Sequence, residues 1–455
     1  MMNGEQHICQ VAFCAFDAPA LRKWYLEIFD FLPSGKIVFF PPGSTRVQGI
    51  AKSTSKCSWL IDSQDYFQLE FFQFYIPLSK PRPYNWKPSD IGYNILGFQV
   101  SEFDLTLDRL KLRGHDCLTS PQGKVGERRV CVKDPEGNII EIFESYPHDF
   151  DEGGLVRPEV PVTVRSMIVS VPDLEPARHY FSDVLGLEPV AGETLHNATH
   201  EALWGLDGAK SERLLLRSKN FLVELVCYTD PEPRPWPDGY QICDQGFMNI
   251  ALGYNETSAF DTAFKKAVDG GARPNGKPLD AVVFKVMYVN DSAGFSVEML
   301  NARKSLWSVT GFKPSVSYVE NEVWIAAPPE AVWPVITDHA AMGDWMPFKG
   351  KLLRTGEDDH NGKGALRELK GMGMKIVEEV TQWRFEKSYT YRLTGGAPVK
   401  NHRGDVTLTE ENGGTRVRWS IQFKSKIPGA GKIIATALKL TFKKALLTLK
   451  KRLEK

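Results

Sequence analysis

The chain has 455 residues, 42% hydrophobic and 25% charged, with 56 basic against 56 acidic side chains. That length accommodates two to four domains with full cores, and the composition excludes wholesale disorder and fibrous repeats. Zero formal net charge argues against a chain-wide nucleic-acid footprint. The seven cysteines are scattered and never form a CxxC pair, which argues against a disulfide framework or a cysteine zinc site and for a reducing, cytoplasmic setting. The opening MMNGEQHICQ has no secretory pattern, and no segment reaches the ~18 apolar residues of a membrane span.

From the N-terminus, a short strand (QVAFCAF) leads into DAPALRKWYLEIFDFLP, a helix with Asp17 as N-cap and proline in the first turn. The same plan returns at DLEPARHYFSDVLGLEP, behind the strand SMIVSV and capped by Asp173. Arg22 and Arg178 occupy matching positions, each followed by an aromatic pair. Downstream, strands with a central glutamate match (YFQLEFFQF, NFLVELVCY), as do a strand and second helix, and a turn and closing strand (KDPEGNIIEIFE, NDSAGFSVEML). Each copy, about 145 residues, therefore reads as two βαβββ units. YPHDFDEGGLVRPEVP, rich in proline, glycine and charge, reads as the linker between copies.

After about Asn301 the pattern changes. NEVWIAAPPEAVWPVITD predicts a strand, a Pro-Pro turn and a helix, followed by short alternating strands. EENGG between two of them is a hairpin turn. A basic helix closes the chain, with Leu438, Phe442, Leu446 and Leu449 forming its apolar stripe.

On the strand-Asp-helix-aromatic opening and the closing DPEGNIIEI, residues of about 6–302 resemble two tandem domains of the vicinal oxygen chelate superfamily, the glyoxalase/bleomycin resistance/extradiol dioxygenase fold. On APPEAVWPVITD, HRGDVTL, GGTRVRW and the final helix, the remainder resembles the SRPBCC, or START/polyketide cyclase-like, superfamily. The resemblance implies an α+β protein: residues 1–150 and 160–303 as open-barrel domains and 315–455 as a helix-grip domain.

The first resemblance implies a divalent metal on the inner face of the barrel. Its four ligand positions fall on Gln10, Glu70, Ile95 and Glu141 in copy one, and on Ser166, Glu224, Asn249 and Glu298 in copy two. The candidate metal residues are thus Gln10, Glu70, Glu141, Glu224, Asn249 and Glu298, with Glu70 and Glu141 as candidate catalytic carboxylates. Oxygen ligands without histidine favour Mg²⁺, Mn²⁺ or Ca²⁺, or no metal and a bare carboxylate base. A two-histidine, one-carboxylate iron centre cannot be built at these positions. Within the family a site can come from one copy or from half of each, in which case Gln10, Glu70, Asn249 and Glu298 converge; the sequence leaves both pairings open. His196 and His200 have i, i+4 spacing but lie in a segment that corresponds to a variable loop, without an HExxH glutamate.

The second resemblance implies an apolar cavity around the last helix. Trp333, Trp345, Arg367, Met374, Trp383, Tyr391 and His402 are candidates to line it, with Arg367, Glu378 and His402 as its polar groups. The leading expectation is lyase- or isomerase-type chemistry on a hydrophobic or aromatic oxygenated metabolite. The alternatives are sequestration without turnover, or a cyclase or dehydratase working in the C-terminal cavity. The expected partner is a hydrophobic small molecule, not nucleic acid or an integral membrane, and a homo-oligomer remains open.

Overall fold

The computed structural model describes residues 6–150, 156–157, 160–357 and 359–454. Residues 151–155 and 158–159 of the expected linker lie outside that description. The chain divides into two compact units, residues 1–314 and 315–455. No helix among the described residues is long and apolar enough to cross a membrane, and all seven cysteines are free thiols.

The first unit is built from two mixed sheets, and neither belongs to one sequence copy. Sheet one joins the first half of copy one (Gln6–Cys14, Leu32–Phe39, Thr54–Ile61, Gln68–Ile76) to the second half of copy two (Gly246–Tyr254, Phe284–Asn290, Ser296–Ala302 and short flanking strands). Sheet two joins the second half of copy one (Gly92–Val100, Arg129–Lys133, Ile139–Phe143) to the first half of copy two (Val162–Ser170, Lys210–Arg217, Leu222–Asp230). The seams are antiparallel pairs: Gln6–Cys14 with Gly246–Tyr254, and Gly92–Val100 with Val162–Ser170. All but the first two residues of Gln6–Cys14 are buried, as is every residue of Gly246–Tyr254. Such strands read as continuous apolar runs and are suited to a sheet centre.

Local chemistry explains the elements that carry these sheets. Asp17 accepts a hydrogen bond from Ala20 N at 2.9 Å and caps the helix Ala18–Phe29, which buries Leu21, Trp24, Tyr25, Ile28 and Phe29. Asp173 caps Leu174–Arg178 in the same way, and that helix then widens into a π-helical segment, His179–Val184.

The second unit is a seven-stranded antiparallel sheet in the order Ser317–Ile325, Gly414–Ser425, Val399–Glu411, Ser388–Gly395, Met374–Arg384, Leu366–Gly371, Lys349–Arg354. The EENGG hairpin turns at Asn412 and Gly413, both at positive φ (52° and 74°), as a two-residue turn of the primed kind demands. The closing helix Gly431–Leu453 buries Phe442, Ala445, Leu446 and Leu449 and leaves its lysines exposed except the half-buried Lys450, which donates to Trp324 O at 2.8 Å.

Candidate functional site

Strand register alone gathers four side chains on one face of sheet one. Residues two apart on a strand share a face, and so do directly paired residues. Gln10 pairs with Ala251, and Ala251 with Glu298; Ala12 pairs with both Glu70 and Asn249. Gln10, Glu70, Asn249 and Glu298 therefore face the same way, and all are buried. Gln10 Nε2 donates to Glu298 Oε2 at 3.2 Å, while Trp59 Nε1 and Cys57 Sγ (3.6 Å) donate to Glu70 Oε1. Burial lifts the Glu70 carboxyl to about 7 against the opposing hydrogen bonds of Trp59, Cys57 and Gln10. Burial and then the charge of Glu70 push Glu298 well above the carboxylate range. Both polar atoms of the Asn249 amide are buried without a full hydrogen bond, the Tyr288 hydroxyl being the side-chain group that approaches it.

Two crowded carboxylates and an unsatisfied buried amide are groups that a divalent cation would satisfy, so this oxygen-rich set fits one. Among the described residues, no three His, Cys, Asp or Glu side chains form a metal-holding group. The fit therefore depends on the two amides, Gln10 and Asn249, as much as on the carboxylates. Gln10, Glu70 and Glu298 line a cavity of about 100 Å³ whose remaining walls are mostly apolar, among them Ile37, Phe39, Phe72, Phe284 and Leu300.

The same cavity is walled by a strap lying after both copies, through Val309, Thr310 and Phe312. Trp307 stacks on Tyr66 at 4.7 Å and Phe312 meets the same ring edge-on at 4.3 Å, which seats the strap. Gln68 Nε2 donates to Gln10 Oε1 at 2.9 Å, or, with the amide turned over, to Gly311 O (2.9 Å) and Thr310 O (3.3 Å) of the strap instead. Gly311 has φ +82°, and a Cβ there would stand 2.5 Å from the Trp59 ring and 2.7 Å from Gln68 Oε1. Gly311→Ala is accordingly expected to cost about 1–3 kcal/mol by overpacking alone. Thermal unfolding of the full chain checks this as a lowered midpoint.

Sheet two places Ser166, Glu224, Ile95 and Glu141 on its corresponding face, and here the outcome differs. The His196 ring stands between the carboxylates, with Nε2 2.7 Å from Glu141 Oε2 and Nδ1 2.6 Å from Glu224 Oε2. Glu224 also accepts from Leu195 N (2.8 Å), His196 N (3.0 Å) and Arg213 Nη1 (2.9 Å). Arg129 lies 3.5 Å from Glu141, and Arg213 also pairs with Glu201, so three cations balance three carboxylates. Burial would raise Glu224, but His196 and Arg213 hold it down at about 2. Burial opposes a charged His196, but Glu141 and Glu224 outweigh it and raise its pKa.

This set does not fit a divalent cation. One of its four positions is the aliphatic Ile95, and both carboxylates are already committed to protein cations. Glu141 and Glu224, expected among the metal ligands, are thus held in an internal ion network, and Glu141 stands on a different sheet from Gln10 and Glu70. The exchange of halves between the copies is the physical reason.

In the C-terminal unit a second cavity, about 220 Å³ in volume, lies between the sheet and the last helix. Arg367, Met374, Tyr391 and His402 line it, together with Met346, Leu369, Ile376, Trp419, Leu438 and Phe442. Trp333, Trp345 and Trp383, expected as lining, are absent from its walls. Trp333 and Trp345 are buried in the core, where Trp333 packs on the partly buried Trp383 at 4.8 Å and Trp345 meets Trp419 at 5.9 Å. Arg367 donates to Glu378 Oε2 through Nε (2.8 Å) and Nη2 (2.7 Å) and lies 4.7 Å from the Tyr391 ring. Arg367 Nη1 and His402 Nδ1 are buried without a hydrogen-bond partner.

The strap and the His196 network were not among the sequence expectations. The i, i+4 histidines were a visible signal for the network, but only strand pairing brings His196 to Glu141 and Glu224. Nothing local in WSVTGF marks it as a cavity wall.

A family profile described as glyoxalase/bleomycin resistance protein/dioxygenase superfamily matches residues 7–142, and one described as polyketide cyclase/dehydrase and lipid transport matches residues 318–454. Among solved structures, the chain is similar to glyoxalase I from Zea mays (14% identity, 65% of this chain and 92% of that one, TM-score 0.44). It is also similar to a START superfamily protein from Mycobacterium smegmatis (16% identity, 30% of this chain and 97% of that one, TM-score 0.28). No curated protein sequence matches it.

Proposed function

We propose that the chain, whose residues 7–142 match a glyoxalase-superfamily profile and residues 318–454 a polyketide cyclase-like one, is an enzyme that moves a proton next to a carbonyl on a hydrophobic or aromatic oxygenated metabolite. The reaction would be of lyase or isomerase type, with the C-terminal cavity holding the hydrophobic substrate or product. The observation that carries this reading is the convergence of Glu70, Glu298 and Gln10 at a largely apolar cavity, with Asn249 on the same face of the sheet.

A divalent metal, when bound, would be held by these four residues and would supply Lewis-acid stabilisation of negative charge developing on a substrate oxygen. The protein's own groups do the rest. In the metal-free site Glu70, near 7, is matched to accepting a proton at neutral pH and returning it to a neighbouring atom. Trp59 and Cys57 fix its Oε1, so the other oxygen is the one presented to substrate. Gln10 orients Glu298, and the strap residues Val309, Thr310 and Phe312 narrow the opening to water.

The native chain is expected to bind one Mn²⁺ and to catalyse deuterium exchange into aromatic α-hydroxyketones. Glu298→Gln should lose both, whereas Glu141→Gln should keep the ion. Paramagnetic resonance titration and proton NMR read the two. Exchange that survives both Glu298→Gln and Glu70→Gln would remove this reading.

A further inference from the structure

Within the reading that the C-terminal cavity holds a hydrophobic molecule, we infer that Arg367 and His402 select an uncharged, carbonyl-bearing ligand over a carboxylate of the same size. The cavity walls offer an apolar body its surroundings: Met342, Met346, Leu369, Ile376, Phe423 and Phe442. Its polar groups come together around Tyr391, whose ring lies 4.7 Å from the Arg367 guanidinium and 5.5 Å from the His402 ring. Tyr391's own hydroxyl is already engaged, accepting from Trp419 Nε1 at 2.9 Å.

The charge state of this cluster decides what it can bind. Arg367 has spent its charge: Nε and Nη2 both donate to one oxygen of Glu378, and the pair is buried together, with burial raising the Glu378 carboxyl and Arg367 holding it down. An entering carboxylate would bring a second negative charge beside Glu378 and leave its own hydration behind. It would therefore have to displace Glu378 or remain unpaired. A carbonyl oxygen needs neither, because Nη1, which the Tyr389 hydroxyl approaches without a full hydrogen bond, remains a donor on a guanidinium already neutralised. His402 fits the same ligand. Burial and then Arg367 hold its pKa at about 4, so near pH 7 the ring is neutral and offers Nδ1 as a dipole, not as a countercharge.

The discriminating experiment displaces a cavity-bound fluorophore from the full chain with a long-chain methyl ketone and, separately, with the fatty acid of equal carbon count, at pH 7.5. The ketone should bind at least tenfold more tightly. The double variant Arg367→Met/Glu378→Met, which removes the pair without stranding either charge, should reduce that preference to within about twofold. His402→Phe should weaken the ketone and leave the acid unchanged. Equal binding of the two probes, or tighter binding of the acid, overturns the inference while the cavity reading stands. Displacement by neither probe overturns the cavity reading and the inference together. A preference that persists in the double variant also overturns it, because the discrimination would then lie elsewhere.

Discussion

Freed of divalent cations, the Glu298→Gln chain is expected to gain stability over the native chain steadily as pH rises from about 4.5 through 7. Glu298 has a folded-state pKa well above its ordinary value of 4.5, through burial and the charge of Glu70. The folded chain thus holds a proton that the unfolded chain has released. The contribution is fully present below about 4.5 and is lost as pH climbs toward the folded-state value. Each pH unit in that window removes about 1.4 kcal/mol per proton so held, and glutamine, which cannot ionise, escapes the loss. The comparison with Glu298→Gln matters because His200 and His402, both held near 4 by burial and neighbouring positive charge, titrate in the opposite sense across the same window. Their contributions cancel between the two chains. Saturating Mn²⁺ should reverse the order, stabilising native protein and not the variant. Denaturant titrations at several pH values, with chelator or with Mn²⁺, measure both effects.

Arg367→Met is expected to destabilise the C-terminal unit by about 3–5 kcal/mol, because it strands the Glu378 carboxylate in a buried site. For a unit of this size that amounts to roughly 10 °C or more in the calorimetric midpoint. Arg367→Met/Glu378→Met should restore most of the loss or exceed native stability, since apolar groups need no desolvation. The pair would then be present for what it does to a ligand, and stability alone would not explain it. A double variant as unstable as the single one would point to the stacking of the Arg367 guanidinium over Tyr389 and Tyr391 instead.

The elements were largely legible in the sequence, because each carries a local signature: the Asp17 and Asp173 caps, the positive-φ Asn412–Gly413 turn, and the spacing of Phe442, Leu446 and Leu449 on the last helix. Gln10, Glu70, Asn249 and Glu298 were ligand positions implied by the resemblance, and their convergence was one of two open pairings. The choice between the pairings was not legible, because a strand's period of two fixes its face but not its neighbour across a seam. The pairing of Ala12 with Asn249, and not with any residue of copy one's second half, is a tertiary choice. His196 was hidden for the same reason: its partners Glu141 and Glu224 come from opposite copies. The tryptophans of the C-terminal unit misled because a bulky aromatic suits a cavity wall and a filled core equally well.

The exchange of halves between the two copies also dictates an order of assembly. Every strand of sheet two lies between residues 92 and 230, enclosed in sequence by the two halves of sheet one. On the ribosome, sheet two and its ion network can close while half of sheet one is still unmade. Gln10 must wait for Ala251, its partner across the seam, and at about 5–20 residues per second that delay is roughly 10–50 s. Throughout it, the apolar strand Gln6–Cys14 has an unpaired edge, the exposure that invites association with other nascent chains. The candidate catalytic face is therefore the last part of the first unit to form, templated by a finished neighbour whose own corresponding face is already sealed by His196.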